Sequence, residues 1–199
     1  MGLLDRFKSR SQSSGGVSPE TTFMTAVQMI RQGPGYYHGA EDLLLRVVRA
    51  APNFVEAYDQ LAELYCQMDR KEDAIKAYLS LLGVNERNAR AHYELGVLCV
   101  ATGRTAEAAR HFRRSIDISP KEWAPIYNLG ACCMQTGDYR EAVSLFRTAL
   151  QMNPRSEEGQ LCLSVACNAL GDKKVALESD AFLESLGSRV RISGIEKMH

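Results

Sequence analysis

Residues 121–154 read KEWAPIYNLGACCMQTGDYREAVSLFRTALQMNP, and residues 87–120 read RNARAHYELGVLCVATGRTAEAARHFRRSIDISP. Laid over one another without a gap, they agree at Leu95 and Leu129, Gly96 and Gly130, Gly103 and Gly137, Ala108 and Ala142, Phe112 and Phe146, and Pro120 and Pro154. The offset is 34 residues, and it continues outward in both directions. Leu61 and Leu163 join the leucines, and Ala40, Ala74 and Ala176 join the alanines. Gly35 and Gly171 join the glycines, Pro52 the prolines and Tyr78 the aromatic series. Asp69 and Glu86 stand where a glycine and a proline are missing. Chance does not keep five residue types in phase without an insertion or deletion.

Each period reads as two helices. Segments such as Ala57-Tyr58-Asp59-Gln60-Leu61-Ala62-Glu63-Leu64-Tyr65 carry apolar residues at three- and four-residue spacing, the signature of an amphipathic helix. Gly103, Gly137 and Gly171 are placed to end the first helix, since glycine takes a left-handed backbone without a Cβ penalty. In the second helix the alanine and the aromatic, such as Ala108 and Phe112, lie one turn apart on one face. Pro120 and Pro154 then stop the chain from continuing as helix. The small residue after each leucine (Ala62, Gly96, Gly130, Ser164) lets the two helices approach closely.

This pattern resembles the tetratricopeptide repeat family: an aromatic, Leu-Gly, a second aromatic, then Ala, Phe and Pro over one period. The match is fullest in Leu129-Gly130, Ala142, Phe146 and Pro154. It is next best in Leu95-Gly96, Ala108, Phe112 and Pro120, then in Tyr58, Leu61-Ala62, Tyr65, Ala74 and Tyr78. The second aromatic is replaced by Cys99, Cys133 and Cys167, and by Arg31 in the opening repeat. The resemblance implies an all-α fold, a right-handed superhelical solenoid of antiparallel helix pairs with about five repeats, the first and last divergent. The expected organisation is a disordered leader over 1–19, the array over 20–186 with repeats near 21–54, 55–88, 89–122, 123–156 and 157–186, and a flexible tail over 187–199. Asp180 and Glu184 replace the apolar residues of inner repeats, as expected of a polar cap with no repeat beyond it.

Composition narrows the function classes. Lys plus Arg and Asp plus Glu are 24 each, so the net charge is zero, and no broad nucleic-acid-binding face is expected. No apolar run approaches the ~20 residues of a membrane span. The opening Met1-Gly2-Leu3-Leu4-Asp5-Arg6-Phe7-Lys8 lacks the apolar core of a signal peptide, so a cytoplasmic location is expected. There is no G-x-x-x-x-G-K-[ST] phosphate loop, H-E-x-x-H or G-x-S-x-G. Gly33-Pro34-Gly35-Tyr36-Tyr37-His38-Gly39 misses the dinucleotide spacing by one residue and reads as a helix-to-helix turn. His38, His92, His111 and His199 are scattered, with no two one helical turn apart. Cys99, Cys133 and Cys167 share one repeat position on the packed side, where cysteine acts as a small hydrophobe. Trp123 reads as a packing residue at a turn between repeats. No catalytic residue, metal site or cofactor is expected.

In the resembled family, ligands lie along the concave face made by the first helices. The corresponding positions give Thr22, Thr25, Met29 and Gln32 in the opening repeat. Then come Glu56, Asp59 and Glu63, followed by Arg90, Tyr93, Glu94 and Val97, and by Tyr127, Asn128 and Met134. The face begins acidic and turns aromatic and apolar. The carboxylate clamp that some members use would need basic residues or asparagine at Asp59, Glu63, Glu94, Ala124 and Asn128, and only Asn128 agrees. The expected function is a non-catalytic scaffold or adaptor holding a peptide or helical segment with basic and apolar residues. The alternatives are a small secretion or assembly chaperone using the same groove and a cysteine-based redox or metal-dependent regulator. Self-association through open ends is a further expectation.

Overall fold

In a computed structural model of the chain, residues 18–185 are described. Most of the expected leader and all of the expected tail lie outside them. Ten α-helices, and among the described residues no strand, follow in order: α1 Pro19–Gln32, α2 Tyr37–Ala50, α3 Val55–Gln67, α4 Lys71–Val84, α5 Ala89–Ala101, α6 Thr105–Ile118, α7 Trp123–Thr136, α8 Tyr139–Met152, α9 Glu157–Leu170 and α10 Lys173–Ser185. Contacts divide the chain into two compact units, residues 1–95 and 96–199, and the division falls inside α5.

In the first unit, α1 packs on α2, α2 on α3 and α3 on α4. Leu44, Leu64, Tyr78 and Leu81 are wholly or almost wholly buried, with Ala26, Ala40, Ala57, Ala62 and Ala74 between them. Arg70 ties two pairs together. Its guanidinium donates to both Glu41 carboxylate oxygens at 2.8 and 2.9 Å and to Asp73 at 2.9 Å, and lies 4.5 Å over the Tyr65 ring. Both bonds to Glu41 come from one nitrogen, Nη1, and they are charge-assisted. Burial and the Glu41 carboxylate push the Tyr65 hydroxyl up to about 12.

In the second unit, α6 packs on α7, α7 on α8, α8 on α9 and α9 on α10. The close approach inside each hairpin is visible at its glycine. A Cβ on Gly96 would lie 2.5 Å from Phe112 Cε1, and one on Gly130 would lie 2.8 Å from Phe146 Cε1. Both rings are fully buried. The first full repeat has Ala62 and Tyr78 at these positions, both buried, and the last repeat changes its chemistry. There Ser164 donates a 2.7 Å hydrogen bond to Asp180 across the hairpin. Asp180 is therefore turned toward its own hairpin partner, which corrects the expectation of an outward-facing cap. A carboxylate in the ring's place needs a donor where the inner repeats need only a bare Cα. The Glu184 side chain lies outside the described residues.

Two boundaries differ from the sequence reading. Ser18 caps α1 by accepting from the Thr21 N–H, with Pro19 at the first helical position, so α1 begins inside the stretch expected to be leader. Gly35 keeps the glycine register in sequence but does not end α1. Gly33 does, at φ 108°, because Pro34 opens a 3₁₀ turn over Pro34–Tyr36 that takes in Gly35. Gly103, Gly137 and Gly171 do take left-handed conformations, and Asp69 matches them at φ 56°.

Replacing Gly96 or Gly130 with valine forces a branched side chain against a fully buried ring. Each variant is expected to lose about 1–3 kcal/mol in urea unfolding. An unchanged denaturation midpoint would contradict the close-approach reading.

Candidate functional site

The expected ligand residues fall into two groups, one in each unit. In the first unit, Asp59 and Glu63 lie one turn apart on α3 and face Arg90 at the start of α5. Arg90 donates to Asp59 at 3.1 Å and also to Glu63. Gln60 adds a 2.8 Å hydrogen bond to Glu63. Glu94, one turn beyond Arg90, feels the same charges, and Asp59 feels Glu56. The structure thus gathers Glu56, Asp59, Glu63, Arg90 and Glu94 into one patch. Four carboxylates meet one guanidinium, and the patch keeps an excess of negative charge. It is nevertheless less acidic than the sequence suggested, because Arg90 turns back on the acids.

Burial raises the carboxyl of Asp59, and Glu63 and Glu56 raise it further against the opposing pull of Arg90. Burial also raises Glu94, with Glu63 and Asp59 adding to it and Arg90 again opposing. These acids are thus held partly out of water without enough positive charge to compensate. Tyr93 is half-buried on the same helix.

A cavity of about 680 Å³ opens beside this patch. Its acidic wall is Glu56 and Asp59 of α3, and its other wall, from α1, carries the apolar Phe23, Met24 and Val27 with Thr21, Thr25 and Gln28, and one basic residue, Arg31. Met24 is 38% exposed, unusual for a large apolar side chain. The sequence reading assigned this face to Thr22, Thr25, Met29 and Gln32. Of these, Thr22 is buried, and its hydroxyl donates to the Ser18 carbonyl at 3.0 Å. Thr25 lines the cavity as expected and Gln32 is exposed, and Thr21, Met24 and Gln28 join Thr25 there.

In the second unit, Tyr127 and Asn128 sit side by side on α7, and Met134 lies two turns on; Val97 of α5 is exposed. Tyr127 packs against Phe146 at 5.6 Å, and its hydroxyl is 3.4 Å from the Cys162 sulfur. Trp123 opens α7, meets Tyr127 edge-on at 6.3 Å and is 36% exposed. The sequence reading made it a packing residue between repeats. It does pack, on Tyr127, and its partly exposed ring is also the outer member of an aromatic ledge, with the four-residue spacing from Tyr127 as the signal. Asn128 donates its side-chain amide to the Ala124 carbonyl at 3.1 Å, so the one residue that agreed with the carboxylate clamp is bonded to its own helix.

Cys99, Cys132, Cys133 and Cys167 are buried, while Cys66 is exposed. Burial, assisted by Glu141, pushes the Cys133 thiol up to about 11. Cys99 also shares a close cluster with Glu107 and His111. In the sequence Cys99 groups with Cys133 and Cys167 by repeat position; the structure instead sets it beside Glu107 and His111, one turn apart on α6. Among the described residues, no helix is long and apolar enough to cross a membrane.

Two tetratricopeptide repeat family models match the chain, over residues 60–122 and 99–161, together covering about half of it. No curated protein matches it by sequence. Solved structures with the same fold include MamA, at 19% identity and a TM-score of 0.75, with 87% of this chain and 97% of that one covered. MamA residues 41-end from Desulfovibrio magneticus RS-1 align at 16% identity and a TM-score of 0.77, covering 89% and 100%. YrrB, described as "a TPR protein with an unusual peptide-binding site", aligns at 14% identity and a TM-score of 0.76, covering 95% and 94%.

Two measurements test this geometry. A carboxyl raised on folding stabilises the fold while protonated, and that contribution is lost as pH rises from the ordinary carboxyl range through its folded pKa. Glu94→Gln removes this loss, so its urea midpoint should exceed that of the parent at neutral pH. The gain should shrink toward zero near about pH 4, where the parent carboxyl is largely protonated. A lower midpoint at neutral pH would show that the Glu94 charge stabilises the fold. With a thiol reagent, Cys66 should label in the native state and Cys99, Cys133 and Cys167 only on unfolding. Prompt labelling of all of them would contradict their packing.

Proposed function

Because the chain belongs to the tetratricopeptide repeat family, we propose that it is a non-catalytic interaction scaffold whose ligand is a peptide or helical segment carrying basic and apolar residues. The observation that carries this reading is the patch of Glu56, Asp59, Glu63 and Glu94 beside the Met24-lined cavity. Half-buried carboxylates with too little compensating charge weaken a fold, and an incoming lysine or arginine relieves that cost. Arg90 occupies part of this role within the chain itself. The neighbouring apolar wall offers contact area that charge alone does not provide. Acidic groups around it steer the approach of a basic segment and set its direction. YrrB, with its peptide-binding site, supports a peptide as the ligand class. In the second unit, Trp123, Tyr127 and Met134 offer aromatic and apolar anchors of the kind that dominate interface energies.

Calorimetric titration with an amphipathic lysine–leucine peptide, and with its glutamate–leucine counterpart, tests the proposal. The lysine peptide should bind and the glutamate peptide should not, with affinity falling as salt is added. Replacing Asp59 with Asn and Glu63 with Gln together should weaken binding about tenfold or more, equivalent to about 1.4 kcal/mol. Replacing Tyr93 with alanine should weaken it while helicity is kept. Arg90→Ala should strengthen it, because the internal competitor for the acids is gone. Equal binding of both peptides, or indifference to the acid substitutions, would overturn the assignment.

A further inference from the structure

We infer that Cys99, Glu107 and His111 form a binding site for a transition-metal dication of the zinc type, clipping α5 to α6 within the second full repeat. Each residue supplies one ligand atom, and the three atoms lie within 4.8 Å of one another. Cys99 is fully buried on α5, while Glu107 and His111 are half-buried and stand one turn apart on α6. Side chains four residues apart on a helix share a face, so both reach toward the same point. Metal–ligand bonds of ~2.0–2.3 Å in tetrahedral geometry place ligand atoms about 3.3–3.6 Å apart. Small side-chain rotations therefore suffice to close the set.

The donor chemistry selects the metal class. One sulfur, one imidazole nitrogen and one carboxylate oxygen are what zinc accepts, whereas calcium and magnesium prefer oxygen alone. Coordination breaks the Cys99 S–H bond, sends its proton to solvent and forms the metal–sulfur bond. A thiolate, a carboxylate and a neutral imidazole around a dication sum to zero charge, which suits a half-buried site. Three protein ligands leave one position for water or for a donor from a partner.

The repeats themselves serve as internal controls. The corresponding positions are Tyr65, Asp73 and Ala77 in the repeat before, Cys133, Glu141 and Leu145 in the repeat after, and Cys167, Val175 and Ser179 in the last. Cysteine and glutamate thus recur together once, and only the second full repeat adds a histidine. Leu145 shows that this helix position accepts leucine, so His111→Leu is a substitution the fold already uses elsewhere.

The experiment takes the full chain, stripped of metal, and titrates it with Zn²⁺ or Co²⁺ alone. We expect one metal per chain, a thiolate-to-cobalt charge-transfer band in the near ultraviolet, and a zinc-dependent rise in the thermal midpoint. His111→Leu should bind at least tenfold more weakly and lose the zinc-dependent rise, and Cys99→Ser should lose the band. If Cys99→Ser does not fold, His111→Leu decides. Cys66→Ser and Cys133→Ser should leave stoichiometry and band unchanged. Absence of binding by the parent chain would overturn the site, as would undiminished binding in His111→Leu or loss of the band in either control.

Discussion

A phenyl ring lies against the backbone of a neighbouring helix only where the residue beneath it is nearly bare. Gly96 under Phe112 and Gly130 under Phe146 meet that condition. The two members of each pair are sixteen residues apart, far enough to reach across one hairpin. Each pair brings its helices together and buries a ring of the size that dominates core energetics. Ser164 and Asp180 show that the last hairpin closes by a hydrogen bond where it lacks the ring. A hydrogen bond to a carboxylate is worth about 1.5–3 kcal/mol net, and truncating a buried phenylalanine costs about 3–5 kcal/mol, so the last hairpin is closed by a different interaction from the inner ones.

Closure of the hairpins also determines what is left for binding. The alanines, leucines and rings take the packed side of every helix, so polar residues of the first helices remain outside it. In the first unit these are carboxylates held partly out of water, with Arg90 opposing their repulsion. Burial raises the carboxyls of Asp59 and Glu94, so their ionised forms oppose folding. The aromatic ledge of α7 reaches the surface in a different way. Tyr127 is anchored on Phe146 and Cys162, and Trp123 extends from it toward solvent.

Periodicity carried most of the fold into view. Leucine, alanine, glycine and the aromatic recur in phase, and any one of them can fail without disturbing the others. At the ends of the array the same register misled. The opening helix answers to Ser18, Pro19 and Pro34, local signals that the repeat does not contain; of its expected face Thr25 and Gln32 are exposed and Thr22 is buried. At Asp180 the sequence displayed a polar residue but not its partner, because Ser164 looked like one more small spacer. Among the candidate ligands, the acids on α3 and α5 were legible from position alone. Their link through Arg90 was not, since it joins residues 27 and 31 positions apart and depends on how a flexible side chain turns. Glu107 and His111 escaped for a simpler reason: a glutamate one turn from a histidine is common on helices, and a nearby thiol from another helix gives it meaning.

The central claim is that the first helices present the ligand surface and the second helices hold the fold. Amide chemical shifts recorded while the lysine–leucine peptide is titrated into the labelled chain test it most directly. The account predicts shifts concentrated at Glu56, Asp59, Glu63 and Glu94 and in the Met24 turn of α1, with the buried faces of α4, α6 and α8 left unchanged. Shifts confined to the second helices, or none at a saturating peptide concentration, would contradict it.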